Sequence, residues 1–194
     1  MSELKLADPP QTDKTIGQYL EAARLCEAVF NKKNKDYGTA WRILRTTSLT
    51  DQIFIKAQRI RTIEEKGGSK VAEGVEIEFI GIVNYSVMAL IQLEYGAELE
   101  LDLPWGRVEK FYNKQMDIAY DLMEAKDHDY GEAWRDMRIS SMTDLILMKI
   151  LRIKKIENND GETIVSEGVD ANYLDMINYG LFALIRIREE REGR

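Results

Sequence analysis

Three polar residues, Asn172, Asp175 and Asn178, recur at i, i+3 and i+6 in a segment that is otherwise apolar, including Tyr173, Met176, Ile177, Leu181 and Phe182. At about 100° per residue they span about 120° of a helical wheel. A helix apolar on nearly all sides is a buried one. A polar stripe on it is costly unless partner side chains, water or a metal satisfy it. Glu167 falls about 20° from Asn178 by the same count, three turns away along the axis. Asp170 follows Glu167 at acid-x-x-acid spacing. These carboxylates, with Asp144 from the preceding helix, are candidate ligands for Mg²⁺. Asp175 and Glu167 are the candidates to orient a metal-activated water. The competing reading is a hydrogen-bonded seam between helices, and acids in a first turn also meet the helix dipole favourably.

Cations form a second constellation. Arg135, Arg138, Lys149 and Arg152 recur in an acidic chain, and Arg offers a bidentate fork to phosphate where Lys offers a point charge. Carboxylates and cations in one cleft suit a magnesium-bound polyphosphate, because Mg²⁺ is held by one or two carboxylates plus phosphate oxygens. Tyr130 and Trp134 are candidates to stack on a base. The alternative is salt bridging between helices and aromatic packing in the core. The two readings differ in geometry: an enzyme needs the carboxylates and cations to converge on one open pocket, whereas a scaffold pairs them with each other. His128 is the only histidine, no Gly-rich phosphate loop ends in Gly-Lys-Ser/Thr, and no Ser or Cys has a histidine partner.

These residues sit within a duplication. Asp36-Tyr37-Gly38 returns as Asp129-Tyr130-Gly131, and the same offset of 93 relates Ala40-Trp41-Arg42 to Ala133-Trp134-Arg135. Residues 36–64 and 129–157 share 16 identities in 29 positions. One inserted residue then makes the offset 94, matching Asn84-Tyr85 to Asn178-Tyr179. The first-repeat counterparts of the candidate site are Asp51, Glu73, Glu76 and Glu78 among the acids, and Arg42, Arg45, Lys56 and Arg59 among the cations; Tyr37 and Trp41 match the aromatics. The stripe is not identical in the two copies. Asp175 aligns with Gly81 and Asn172 with Glu78, so the second copy is expected to be the better candidate for catalysis.

Each unit reads as three main helices. The first spans about 16–34 or 108–127, with Ile16, Tyr19, Leu20 and Ala23, or Phe111, Met116 and Ala119, at helical spacing. An Asp-Tyr-Gly turn follows, where Gly38 or Gly131 supplies permissive backbone. A short Ala-Trp-Arg piece leads to the second helix, about 49–66 or 142–158, with a start signal in Ser48 and Asp51 or Ser141 and Asp144. The third opens at Glu73 or Glu167 and runs to about 95 or 190. The expected architecture is all-α: a first repeat at 16–96, a linker at 97–107 and a second repeat at 108–190. The two units pack about a pseudo-twofold axis as one bundle, because a single unit buries its apolar faces poorly.

A formal charge of −7 and a pI near 5.0 disfavour duplex nucleic acid as the main partner, since phosphate contacts need clustered cations. Cys26 is the only cysteine, which excludes an intramolecular disulfide and a thiolate zinc site and suits a reducing cytoplasm. Met1 to Thr12 has no apolar signal core, and Phe79 to Leu93 reads as too short and too interrupted to span a bilayer, so no membrane partner is expected. Assembly into a homo-oligomer is left open.

The pattern Lys-Asp-Tyr-Gly-x-Ala-Trp-Arg at 35–42, Lys56-x-x-Arg59 and Asn172-Tyr173-x-Asp175-x-x-Asn178-Tyr179 resembles the nucleotide-modification-associated family of all-helical domains of bacteria and phages. That resemblance covers both repeats. More distantly, the helix with Glu167, Asp170 and Asp175 is similar to the all-α, MazG-like nucleoside triphosphate pyrophosphatases. This implies a helical bundle that uses Mg²⁺ to cleave a nucleotide between its α and β phosphates. The chain departs from that pattern on the second helix, where only Asp51 and Asp144 offer carboxylates near its start. The expected function is Mg²⁺-dependent nucleotide binding, extending to hydrolysis of a nucleoside triphosphate. The alternative is a non-catalytic helical binding or scaffold protein with a polar buried seam.

Overall fold

A computed structural model describes residues 11–67, 74–96, 100–159 and 168–193. The described residues form six α-helices and no strand: α1 (Gln11–Tyr37), α2 (Thr46–Lys66), α3 (Val75–Tyr95), α4 (Trp105–Tyr130), α5 (Ile139–Glu157) and α6 (Val169–Glu192). Short 3₁₀ turns, Ala40–Ile43 and Ala133–Asp136, follow α1 and α4. The repeat offset therefore carries each helix of one half onto its counterpart in the other.

Helix α1 buries Tyr19, Ala22, Cys26 and Phe30, and α4 buries Val108, Tyr112, Met116, Ala119 and Met123, each set at helical spacing. Leu20, expected on the buried face, is 39% exposed. The stripe is narrow because α1 packs on α3 and α6 from one side only. Both outer helices end at a glycine in the left-handed region, Gly38 at φ 58° and Gly131 at φ 62°. The Gly38 amide donates to the Asn34 carbonyl at 2.8 Å, closing the last turn.

The second helices begin about a turn earlier than Ser48 and Ser141 indicate. Arg45 and Arg138 are extended and occupy the N-cap positions of α2 and α5, with no side-chain cap bond. The capping-box expectation is therefore incorrect. The chain leaves each 3₁₀ turn in an extended conformation, and the Ser48 and Ser141 amides donate to the Arg45 and Arg138 carbonyls at 3.0 Å, inside the first turn. The linker is shorter than expected, since α4 already begins at Trp105.

Helices α3 and α6 cross at the centre and are buried on most faces. A side chain at Gly180 would meet Val83 Cγ2 at 2.7 Å, so the close approach of α6 to α3 requires glycine there. By length and composition α3 is apolar enough to cross a membrane, contrary to the reading of 79–93, but 67% of its apolar window is buried inside the bundle. Its apolarity serves the core.

Hydrogen bonds reveal the pseudo-twofold axis. Tyr19 Oη donates to Asn178 Oδ1 at 2.7 Å, and Asn178 Nδ2 donates to the Ala119 carbonyl at 3.0 Å. The counterpart set has Tyr112 Oη donating to Asn84 Oδ1 at 2.8 Å and Asn84 Nδ2 to the Cys26 carbonyl at 3.0 Å. Each asparagine thus ties the first helix of its own repeat to a tyrosine of the other. Between α2 and α5, Thr50 donates to Glu157 at 2.8 Å and Thr143 to Glu64 at 3.0 Å, again as an exchanged pair. Lys154 reaches Asp51 at 2.5 Å and Arg61 reaches Asp144 at 3.8 Å, so these two helices run antiparallel.

Candidate functional site

The polar stripe finds most of its partners within the bundle, the exception being Asn172 Oδ1, which is buried without one. Asp175, 5% exposed on α6, accepts from Lys126 Nζ at Oδ1, 2.5 Å away, and from Lys149 Nζ at Oδ2. In the first repeat Glu78 takes this role, accepting from Lys56 at 3.1 Å and from Arg59. The shift of the carboxylate by one helical step goes with a different placement of the lysine. A Cβ at Gly81 would lie 2.5 Å from Lys56 Cε, so the lysine stem fills the place of the missing aspartate side chain. Asn172 Nδ2 donates to the Gly168 carbonyl at 2.8 Å. Both ends of each buried ion pair meet, which is the arrangement that offsets the cost of burying them.

The expected metal and phosphate ligands do not converge. Asp144 is on the outer face of α5, with its side chain 63% exposed, beside Arg61. Asp170 is exposed in the first turn of α6, and five residues along a helix place it about 140° round from Asp175. Asp51 is held by Lys154, and Glu76 by Arg191 at 2.6 Å. Glu73 and Glu167 lie outside the described residues. Among the described residues no group of three acidic, histidine or cysteine side chains is placed to hold a metal ion. Asp175 has both oxygens committed to ammonium groups. The described residues therefore do not fit a resident Mg²⁺ site.

The cations are likewise dispersed. Arg135 bonds Glu132 at 2.5 Å, Glu189 at 2.9 Å and Gln18 at 2.8 Å, and so ties α1 to α6. Arg42 is buried and donates to Gln92, which returns bonds to the Arg42 and Leu44 carbonyls at 2.9 and 2.7 Å. Lys149, Lys56 and Arg59 serve the buried carboxylates, while Arg45, Arg138 and Arg152 are exposed. Each paired cation faces a carboxylate that burial would leave uncompensated, so these residues do not form one phosphate cradle.

Trp134 cannot receive a base as the structure stands. It is 5% exposed, Phe182 stacks on it at 4.3 Å with an interplanar angle of 3°, and the Arg135 guanidinium lies 4.4 Å from its ring. Beside it Asp127 has its carboxyl held above the usual range by burial. Tyr130 is 77% exposed with no covering ring.

The first repeat differs at this same place. Met88 stands where the second repeat has Phe182, and a cavity of about 330 Å³ opens there, lined by Phe30, Lys33, Asn34, Tyr37, Trp41, Ile43, Leu44, Tyr85 and Met88. Asn34 Oδ1 and Trp41 Nε1 on its wall are buried without a hydrogen-bond partner. Lys33 is exposed and, among the described residues, makes no ion pair, whereas its counterpart Lys126 is neutralised by Asp175. The surrounding charge also differs. Residues 32–45 hold five cations against one acid, and residues 125–138 hold three against four, with His128 counted neutral. One carboxylate, Asp102, approaches the rim at Gly38. The candidate site is therefore in the first repeat, opposite to the expectation from Asp175. The charge difference between the copies is visible in the sequence, whereas the cavity is formed by packing.

The arrangement offers aromatic rings for stacking, an apolar floor and a cation at the mouth, which together suit an aromatic anion of a few hundred Å³. Comparison with known proteins identifies one family. No curated protein and no solved structure matches the chain. The family described as nucleotide modification associated domain 1 matches it twice, over residues 33–93 and 126–187. The first match begins at Lys33 and takes in all of the cavity wall except Phe30. Both halves of the duplication, and more than half of the sequence, are thus accounted for by one domain, and the chain belongs to the nucleotide modification associated domain 1 family as a tandem pair.

Proposed function

We propose that this protein is a nucleotide-binding helical module whose binding site is the first-repeat cavity, with the second repeat and the buried seam serving to hold it in shape. The observation that carries the reading is the pairing of an open aromatic cavity with the exposed Lys33, which makes no ion pair among the described residues, in a chain of net negative charge. Tyr37, Trp41 and Tyr85 offer rings to a base, and Lys33 offers its ammonium to a phosphate. A cavity of about 330 Å³ is at the lower end of the range for small-molecule sites and suits a single nucleotide. Magnesium enters this reading only with the phosphates of the ligand. Binding is assigned and a hydrolytic step is not, because the expected acids of the described residues are spread over separate faces.

The test is calorimetric titration of the full chain with nucleoside mono- and triphosphates, with and without Mg²⁺. Base stacking contributes roughly 1–3 kcal/mol by alanine substitution, so Tyr37→Ala should weaken binding about ten-fold. Lys33→Gln should weaken binding of every phosphorylated ligand and spare the free nucleoside. Tyr130→Ala, the equivalent change in the second repeat, should have no effect. Absence of binding across the panel, or equal loss from Tyr130→Ala, overturns the proposal.

A further inference from the structure

The second repeat fills with its own side chains what is open in the first. Phe182 stacks on Trp134 at 4.3 Å with an interplanar angle of 3°, and Asp175 takes the ammonium groups of Lys126, from α4, and Lys149, from α5. Together they set an aromatic ring and an oxyanion on α6, seven residues and so about 10 Å apart along the helix axis. In the first repeat their counterparts are Met88 and Gly81, so the chain supplies neither the ring nor the carboxylate. Gly81, Tyr85 and Met88 follow one face of α3 at i, i+4 and i+7. The lysines equivalent to Lys126 and Lys149 are Lys33 and Lys56. Lys33 lines the aromatic cavity. The Lys56 ammonium stands 5.8 Å from the ring centroid of Tyr85, which lines the same cavity, and 3.0 Å from the place of a Cβ at Gly81. Glu78 accepts one hydrogen bond from Lys56, at 3.1 Å, and its other oxygen accepts from Arg59, so two of the three Lys56 donors are left.

Resting on the proposed nucleotide site, we infer that its ligand is a nucleoside di- or triphosphate, with the base on Trp41 where Phe182 covers Trp134, and a distal phosphate at Lys33 and Lys56 where Asp175 meets Lys126 and Lys149. The second repeat holds the same two groups, a ring and an oxyanion, as parts of its own chain. Their separation decides the class. A phosphate carried directly on the sugar stays near its base and meets Lys33 at the cavity, whereas a second or third phosphate reaches two turns along α3 to Lys56. Its contacts there are charge-assisted, which makes them stronger than neutral hydrogen bonds.

The experiment titrates a nucleoside, its mono- and triphosphate and inorganic triphosphate into the full chain in Mg²⁺-free buffer. The expected result is a nucleoside triphosphate bound at least about ten-fold more tightly than the monophosphate. Lys56→Met, which leaves Arg59 to compensate Glu78, should remove that advantage and leave monophosphate affinity unchanged. Gly81→Asp gives the first repeat the carboxylate of the second and should bring both phosphorylated ligands down to the affinity of the nucleoside. Gly81→Asn has the same size without the charge and should keep most of the triphosphate advantage, with thermal unfolding confirming that each variant is folded. Equal losses from Gly81→Asp and Gly81→Asn, or inorganic triphosphate bound as tightly as the nucleotide, overturn the inference. A triphosphate bound no better than the monophosphate overturns it and leaves the nucleotide site standing. If no ligand binds, both fall.

Discussion

Replacing Asp175 with Asn keeps the shape of the side chain and removes its charge, so it isolates the role of the anion. In the structure that anion compensates two ammonium groups of unequal burial. The Lys149 side chain is 9% exposed and that of Lys126 is 48% exposed. Lys126 can return to water, so the cost falls on Lys149. Removing one partner of a buried ion pair typically costs 3–5 kcal/mol, and with one of the two cations free to rehydrate the expected loss is at the lower end, about 3 kcal/mol. For a chain of this size 1 kcal/mol corresponds to about 2–4 °C, so the melting temperature should fall by about 6–12 °C. Glu78→Gln should cost less, because the side chains of Lys56 and Arg59 are 22% and 31% exposed. Differential scanning calorimetry and urea titration supply the measurements. The double variant Asp175→Asn/Lys149→Met should recover much of the loss, since it removes the uncompensated buried ammonium and leaves the amide oxygen to accept from Lys126. If Asp175→Asn leaves the melting temperature within about 2 °C and abolishes nucleotide binding, the structural assignment of the stripe is wrong.

Further outcomes follow from other parts of the fold. Burial holds Glu64 and Glu157 above the usual carboxylate range, with the bonds from Thr143 and Thr50 acting in the opposite sense. A carboxyl raised by folding contributes stability below its unfolded value, about 4.3, and loses it as pH rises through the folded value. Glu64→Gln and Glu157→Gln should therefore raise the melting temperature at pH 7, with the gain shrinking toward pH 4 in a pH series of thermal scans. Gly131 has φ 62° and ψ −166°, a region open essentially to glycine, so Gly131→Ala should cost about 1–3 kcal/mol by urea unfolding. Asn84→Leu leaves the Tyr112 hydroxyl without its acceptor and removes the bond that the Cys26 carbonyl accepts beyond its helical one, and should cost about 1–3 kcal/mol by the same measurement.

The architecture was legible because its signals are local or periodic. The 93-residue offset, the glycine turns and the helical spacing of apolar residues each depend on neighbours in the chain. The stripe on α6 was also legible as polar and buried. Its partners were not, because Lys126 and Lys149 stand 49 and 26 residues from Asp175 and only packing brings them to it. The same limit applies to Trp134, which reads as available until Phe182, on another helix, is laid against it. The start of α2 was misplaced because Ser48 and Asp51 resemble a cap, while the extended exit of the 3₁₀ turn sets the boundary at Arg45. The first-repeat cavity is hidden in the sequence for a different reason. The carboxylate at Asp175 points to the second copy, whereas the first-repeat cavity depends on quieter differences between the copies: Met88 in place of Phe182, Asn34 in place of Asp127, and Gly81 in place of Asp175.

The three tryptophans give the central claim its most direct test. In a ¹⁵N–¹H correlation spectrum Trp41, Trp105 and Trp134 each contribute one indole signal, assignable by single substitutions to phenylalanine. Trp41 lines the open cavity, Trp134 is covered by Phe182, and Trp105 is among neither set of lining residues. Titration with a nucleoside monophosphate should move the Trp41 signal progressively and saturably, shift Trp105 little and leave Trp134 in place. Movement of Trp134 with Trp41 unchanged, or no movement of any indole at millimolar nucleotide, would contradict the assignment of nucleotide binding to the first repeat.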